Sequence, residues 1–600
     1  VRLKHYLVDF WDRLILIKEP VLKRLDKAIF FVLFFAFALV IYQIAFPKEL
    51  VIDKWVDVIL RKLPLIAMLM YLGKWVMENF IRKNVKLFDR HYFPDLIFAG
   101  LLFSYRQFKT QFPLLDESWF LYMLLSIFFV VRVMREGSIF HGKKATPSSI
   151  FVVSFLMLIF VGTALLLIPD VSTEDLSFID ALFTATSAVC VTGLTVVDTS
   201  TAFSIIGQDV LLILIQIGGL GLMTFTNFFA ILFKGGMSFR NHLVLSDIIQ
   251  ADKPNSLFGT LLKILGYTFI MELIGVFFIH FVSNETFFTS SRESWMFSIF
   301  HSISAFCNAG FSTLSGGLFN DAFRFNYPFQ LVICFLVIFG GLGFPVMIDI
   351  YDMLKAWFRS FFRWLFFKER FIFLARNINV HSRLVLSTTG ILLAVGTVLY
   401  FITEYNNSLL DHPSLFGKSV QAFFGSVTPR TAGFNTIDMG GMMQGTVLIY
   451  LLLMWIGSSP SSTGGGIKTT TFAIAISNIV SLARGKTRVD IFKREITSSS
   501  ISRAFAVIFL SLLIIGLSVF LISVFEPDIE LTRIAFECFS AYSTVGLSMN
   551  LTPELCTASK LVLIVTMFLG RVGMFTLLFG VFKKMHSTAH QYPKENVLIV

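Results

Sequence analysis

Apolar runs of about 20 residues, the length that crosses a bilayer's hydrocarbon core as a helix, recur at 28–46, 150–168, 206–233, 328–350, 502–525 and 560–582. Between several of these lie shorter stretches of about a dozen residues at 178–190, 294–306, 416–428 and 532–543, each too short to span and each ending on a Gly-centred phrase. The order predicted four times over is spanning helix, half-helix, loop, spanning helix. The expected units occupy 146–235, 255–355, 381–483 and 500–585, with a prefix at 1–145 and a tail at 586–600. The prefix has its strong run at 28–46, others near 63–80 and 117–134, and a weaker one near 92–105, so four crossings are expected there.

The four phrases are VTGLT (191–195), CNAGFS (307–312), RTAGFN (430–435) and STVGLS (543–548). Their glycines, Gly193, Gly310, Gly433 and Gly546, are spaced by 117, 123 and 113 residues, and each follows a Phe ten positions earlier: Phe183, Phe300, Phe423 and Phe536. Single Gly loops between helices carry little information; four in register are an internal repeat. Four such loops around one axis form a ring of backbone carbonyls able to replace a cation's hydration shell, which makes Val191, Thr192, Asn308, Ala309, Thr431, Ala432, Thr544 and Val545 candidate ion ligands together with the glycines. A loop at membrane depth must face protein or a water-filled path, and a central ring meets that demand.

Composition narrows the class. The 600 residues are 55% apolar and 15% charged, with mean hydropathy +0.76. The net charge of +11 would fit nucleic acid, but its distribution points to topology instead. Segments 234–256, 351–383, 484–503 and 583–600 hold 19 Lys and Arg, whereas the loop-side segments 170–205, 283–327, 405–443 and 526–560 hold six. The positive-inside rule then places the loops' mouth outside and the basic linkers in the cytoplasm. The N-terminus shows no cleavage-site pattern, so the first span is expected to act as an uncleaved insertion signal. Arg132 and Arg135 do not form the arginine ladder of a voltage sensor. The five cysteines include no CxxC pair, which supports neither a metal cluster nor a disulfide framework. No phosphate-binding loop or nucleophile motif suggests an enzyme, and no cofactor beyond the transported ion is expected.

Two features break the fourfold pattern. The stretch SSPSSTGGGIK (458–468) sets Pro460 and Gly464, Gly465 and Gly466 between apolar runs, and each such residue costs ~1–3 kcal/mol inside a helix. A non-helical loop is expected, with Ser458 and Ser459 among the hydroxyls available to satisfy it, and Lys468 is expected to reach toward the cytoplasm. Arg571 interrupts the last apolar run, where an unpaired charge costs at least ~2.5–3.5 kcal/mol. Glu272 and Glu537 are further intramembrane acids; pairing with Arg571, binding backbone amides near the loops, and protonation all remain open for them.

These four phrases, with QIGGLGLMTF (216–225), FGGLGFPVMID (339–349), SSPSSTGGGIKTTTF (458–472) and FLGRVGMF (568–575), resemble the Trk/Ktr/HKT superfamily of potassium transporters, specifically its TrkH- and KtrB-type membrane subunits. The resemblance covers 146–600. It implies an all-α polytopic membrane protein with a pseudo-fourfold pore per chain, a homodimer in the cytoplasmic membrane, and control by a cytoplasmic ring of RCK-type nucleotide-binding subunits. It also implies that 458–468 is an intramembrane gate beneath the filter, with Arg571 beside it. Ser458 and Ser461 stand where KtrB relatives carry Gly. Sodium-selective plant members replace the first filter Gly by Ser, so Gly193 implies potassium; a sodium or unselective monovalent-cation pathway is the alternative.

Overall fold

In a computed structural model of the chain, the residues described are 147–173, 175–232, 257–283, 287–288, 290–367, 379–573 and scattered positions between 25 and 73. The prefix crossings, the basic linker at 234–256 and the tail at 586–600 therefore lie outside the described residues, wholly or nearly so. The chain runs through α1 (Pro147–Leu166), α2 (Phe178–Val189) and α3 (Ile205–Leu232). It continues with α4 (Leu257–Val282), α5 (Ser291–Phe306), α6 (Tyr327–Gly341) and α7 (Phe344–Phe367). Then come α8 (Val380–Glu404), α9 (Leu415–Val427), α10 (Gln444–Trp455), α11 (Thr469–Ala483), α12 (Ser498–Phe525), α13 (Leu531–Ser543) and α14 (Thr557–Val572). A two-residue-strand hairpin, β1 (Asp490–Ile491) and β2 (Arg494–Glu495), joins α11 to α12.

Local chemistry marks the start of three of the four half-helices α2, α5, α9 and α13. Ser177, Ser290 and Ser414 cap the first three, their hydroxyls accepting from the backbone N–H groups of Asp180, Glu293 and Gly417. Each half-helix packs on the long helix before it: α2 on α1, α5 on α4, α9 on α8 and α13 on α12. The inter-unit contacts close a cycle. The helix after each loop touches the half-helix of the next unit, α3 with α5, α6 with α9, α10 with α13, and α14 back to α2. This closure makes the architecture pseudo-fourfold and all-α.

The recurring Phe serves these seams. Phe300 joins a cluster made largely of first-unit side chains, Phe536 packs with Tyr400, Tyr450 and Met454 of the third unit, and Phe423 lies against the cluster that holds Leu336 and Val337. The outward faces are the reverse of a soluble protein's surface. Phe269, Leu273, Phe277 and Phe281 on α4, Ile391, Val395, Val398 and Ile402 on α8, and Phe509, Leu517, Phe520 and Val524 on α12 are all exposed, whereas Thr163, Ser298, Ser302, Ser511 and Ser518 are buried. Such a surface suits lipid. Segments Leu262–Val282, Val380–Glu404 and Ser498–Phe525 are long and apolar enough to cross a bilayer. The chain is a multi-pass membrane protein.

Two runs depart from expectation. The stretch 328–350 is not one helix: the chain bends by 104° between α6 and α7. Gly343 takes φ +82, a left-handed conformation that glycine adopts without steric cost, and Pro345 sits in the first turn of α7, where proline is tolerated. The backbone N–H of Phe344, at the break, donates to the Ser461 carbonyl at 3.2 Å, so the 458–468 stretch takes the group that the bend releases. The 560–582 run is helical through Val572 and turns at Gly573, φ +78; positions from 574 onward lie outside the described residues.

Close packing after each loop depends on glycine. A Cβ on Gly218, Gly340 or Gly570 would collide with the carbonyl oxygen of Val189, Phe306 or Tyr542 respectively. These oxygens end the half-helices, four residues before each loop Gly. We expect Gly570→Ala to destabilise the detergent-solubilised protein by about 1–3 kcal/mol, the usual cost of overpacking. Gly516→Ala, whose Cβ would meet nothing within 4 Å, should be neutral or slightly stabilising. Thermal unfolding followed by size-exclusion recovery checks both; equal midpoints for the two variants would refute the packing role.

Candidate functional site

The four Gly phrases, far apart in sequence, meet at one place. A Cβ placed on Gly193 would lie 3.2 Å from the Gly310 Cα; one on Gly310, 3.0 Å from Gly433; one on Gly433, 3.2 Å from Gly546; and one on Gly546, 3.0 Å from Gly193. The cycle closes on itself, and its members leave no room for side chains. Each loop has the same backbone signature. The Gly has φ +88, +69, +78 or +94, and the residue two before it is also left-handed: Val191 +56, Asn308 +58, Thr431 +75 and Thr544 +51. Three of these four are β-branched, for which positive φ is a true outlier. Alternating hand along a chain turns successive peptide planes the same way, aiming a row of carbonyls to one side. Strain of this kind costs of order 1–3 kcal/mol per residue and persists only where surroundings enforce it.

The half-helix ends do the enforcing. The N–H groups of Thr192, Ala309 and Val545 donate to the carbonyls of Ser187, Ser304 and Ser540 at 2.7, 2.8 and 2.9 Å, and Ala432 donates to Thr428 at 3.0 Å. The hydroxyls of the same residues hold the loop's other side. Ser187 and Ser540 accept from the N–H of Gly193 and Gly546 at 3.1 and 3.0 Å, while Ser304 donates to the Phe311 carbonyl at 2.7 Å and Thr428 to that of Phe434. A Ser six residues before the Gly recurs in units one, two and four, a further repeat carried by the sequence. In unit three the hydroxyl shifts to Thr428, one position later. Asn308 links two loops: its side-chain oxygen accepts from the Thr431 hydroxyl at 3.0 Å while its nitrogen reaches the Ala305 and Val337 carbonyls, in the amide orientation that satisfies both ends.

Beneath the ring lies the 458–468 stretch. Gly464 sits against the Thr431 hydroxyl and Gly465 against that of Thr544, each so close that a Cβ would collide. The helix stops at Trp455 and restarts at Thr469, and the loop's base is pinned where Ile456 and Ile467 bridge in parallel. Its polar groups are satisfied from inside and from two neighbouring units. Ser458 and Ser462 share a hydroxyl contact of 2.8 Å, and Ser462 donates to the Ser459 carbonyl at 2.6 Å. The Ser459 N–H and hydroxyl both reach the Gly341 carbonyl at 3.0 Å, and the Thr463 hydroxyl reaches that of Phe306 at 3.3 Å. The Pro460 carbonyl lies 2.5 Å from where a Cβ on Gly343 would stand. Gly466 takes φ +69. Lys468, expected to reach toward the cytoplasm, instead folds back and donates its ammonium to the Gly464 carbonyl at 2.7 Å. Those carbonyls, freed by the helix break, are nearer acceptors than water beyond the helix end.

Arg571 closes the far side. It is 4% exposed, and its guanidinium donates to the Thr463 carbonyl of the loop and, at 2.5 Å, to the Gly218 carbonyl on α3. Among the described residues no carboxylate pairs with it, so the ion-pair reading fails. Glu272 instead accepts from the Gln216 amide at 3.2 Å, tying α4 to α3. Glu537 accepts from a backbone amide next to a Gly loop, the Met549 N–H, at 3.1 Å. At the mouth, Asp198 accepts from Ser315, Asn435 donates to the Gly316 carbonyl, Asn550 donates to Asp438, and Lys560 pairs with Asp180 at 2.7 Å. These contacts link unit one to two, two to three, three to four, and four to one.

Comparison with known proteins agrees with this geometry. The TrkH family model, described as a cation transport protein, matches residues 122–591. The Ktr system potassium uptake protein B of Bacillus subtilis is 37% identical over 465 residues, 77% of this chain and 99% of that protein. The potassium/sodium uptake protein NtpJ of Enterococcus hirae is 36% identical over 464 residues, 76% and 98% of the two chains. The crystal structure of the potassium transporter TrkH from Vibrio parahaemolyticus shares the fold with TM-score 0.56 at 16% identity, covering 87% of this chain and 97% of that one. With ring, broken helix and matched length in agreement, the chain belongs to the TrkH family of cation transport proteins, as a membrane subunit of the Trk/Ktr superfamily and not an enzyme.

Proposed function

We propose that the protein takes up potassium ions through the four-loop ring, across the cytoplasmic membrane, with the mouth outside and 458–468 as the gate. The observation that carries this reading is the closed cycle of four glycines, each preceded two residues earlier by a second left-handed residue. Backbone so held offers carbonyl oxygens in fixed positions, and a cation bound there trades water for them without reorganising the protein. The buried hydroxyls of Thr192 and Thr544 have no hydrogen-bond partner among the described residues, which leaves their oxygens free to serve an ion. The half-helices direct their C-terminal, partly negative ends at the same region. In this reading the pore units are those at 146–235, 255–355, 381–483 and 500–585.

Gate action follows from the loop's anchorage. Closing the path beneath the ring requires Gly464 and Gly465 to stay under Thr431 and Thr544, and Arg571 supplies a charge-assisted bond to that loop while placing a positive charge in the cation's way. Movement of the loop would then be controlled from the cytoplasmic side, by an RCK-type nucleotide-binding ring on a homodimer of this chain, as the resemblance implies. A second reading has its own support: one relative at 36% identity is named for both potassium and sodium uptake, so an unselective monovalent pathway is the competing outcome.

Proteoliposome uptake of potassium and sodium, with and without an imposed proton or sodium gradient, tests the function directly. Gly193→Ser should raise the sodium-to-potassium uptake ratio by about tenfold, roughly 1.4 kcal/mol of discrimination; an unchanged ratio would favour the unselective pathway. Arg571→Gln removes the charge and one of the two donor arms, and should raise potassium flux several-fold in the absence of any regulator. Parental flux from a well-folded Arg571→Gln protein would sink the gate assignment.

A further inference from the structure

Nine residues before each loop Gly the half-helices carry Thr184, His301, Phe424 and Glu537. In units two and four this register faces the chain just past the ring. In unit two the pair is His301 and the Ser312 hydroxyl, 2.9 Å apart. Unit four alone places an acid there. Glu537 is fully buried on α13 and accepts from the Ser548 hydroxyl at 2.5 Å, the Thr552 hydroxyl at 2.8 Å and the Met549 N–H at 3.1 Å. The amide is an obligatory donor. Ser548 already accepts from the Leu551 N–H at 3.3 Å, which leaves its own proton for the carboxylate. Three donors around two oxygens favour the ionised form of the acid and oppose the cost of its burial.

Among the described residues no cation neutralises this carboxylate. Arg533, one turn earlier on the same helix, turns to the Met549 carbonyl at 3.1 Å and pairs with Glu554 at 3.6 Å; Arg571 is engaged below the ring by two carbonyls. Ser548 stands two residues after Gly546, and two residues span at most ~7 Å. The charge therefore sits close behind the ring, in protein rather than water, where salt screens it little.

We propose that Glu537 is a cation-affinity determinant of the ring: a fixed negative charge, contributed by unit four alone, that raises cation occupancy from behind the backbone without touching the ion. It acts on the mouth side of the same unit that places Arg571 below, so unit four supplies opposite charges to the two ends of the path. The inference rests on the ring being the cation path, and it adds the electrostatic source of the ring's affinity.

The test uses the full-length chain in proteoliposomes, with rubidium as the transported probe. Glu537→Gln keeps an acceptor oxygen for Ser548 and Met549, turns an NH2 donor to the Thr552 hydroxyl, which can accept, and removes the charge. It should raise the KM for rubidium at least about fivefold, a lower bound for one unit charge acting through protein within ~10 Å, with maximal rate and unfolding temperature close to the parent's. Glu537→Asp, which restores the charge, should bring KM back to within about twofold. A Glu537→Gln protein with parental KM overturns the proposal, as does one whose maximal rate and stability fall while KM holds, the mark of a purely structural acid. If Glu537→Gln does not fold, Glu537→Asp decides alone: parental KM supports the charge, and a fivefold rise overturns it. A parent chain that takes up no rubidium would instead overturn the cation path itself.

Discussion

Four backbone loops meet around one axis inside a membrane, where water is not on hand to solvate their polar groups, and the remaining structure answers to that condition. Every N–H or C=O turned away from the axis must be paired within the protein. The half-helix ends meet this demand with one residue type used twice: the carbonyl of Ser187, Ser304, Thr428 or Ser540 takes one loop amide, and its hydroxyl reaches another backbone group of the same loop. Once pinned in this way, the strained φ of Val191, Thr431 and Thr544 has nowhere to relax.

The same constraint explains why the path below the ring is not fourfold. In units one, two and four a glycine of the following helix packs on the last carbonyl of the half-helix, at Gly218, Gly340 and Gly570. In unit three the matching residue, Gly457, faces Gly465 of its own chain instead, and Pro429 occupies the half-helix position where the others present Val189, Phe306 and Tyr542. The helix cannot continue, and the released backbone needs partners. It finds them in unit two, whose own bend at Gly343 frees complementary groups, and in unit four, through Arg571. The two breaks satisfy each other, which is why they lie face to face. A guanidinium is suited to the last of these roles, since its several donors can serve carbonyls on two different elements at once.

Much of this was legible beforehand because repetition amplifies weak signals. Any one Gly phrase is ordinary, yet four at matched spacing located the ring, and the half-helices fell within a few residues of their expected limits. Pro460 and the Gly464 to Gly466 run marked the broken helix because their cost in a helix is local. The bend within 328–350 was missed although Gly343 and Pro345 were in plain view; a run of apolar side chains masked them, since hydropathy does not register φ. The direction of Lys468 and the partners of Arg571, Glu272 and Glu537 were not legible at all. Arg571 depends on carbonyls that arrive from as much as 353 residues away in sequence, whereas Lys468 and Glu537 depend on how nearby loops fold back on them.

By itself, then, the sequence determined quantities that act over short range: which segments are apolar enough to be helices, where Pro460 and the Gly464 to Gly466 run stop one, where the four loops lie, and in which segments basic charge gathers. Only the tertiary structure decided which unit follows which around the axis, that the two helix breaks meet, and that the intramembrane charges are met by backbone dipoles and hydroxyls rather than by one another. The reason is physical. Helix limits and turns follow from steric and hydrogen-bonding preferences of neighbouring residues, whereas the fate of a buried charge depends on the nearest polar groups in space, and folding alone brings those together.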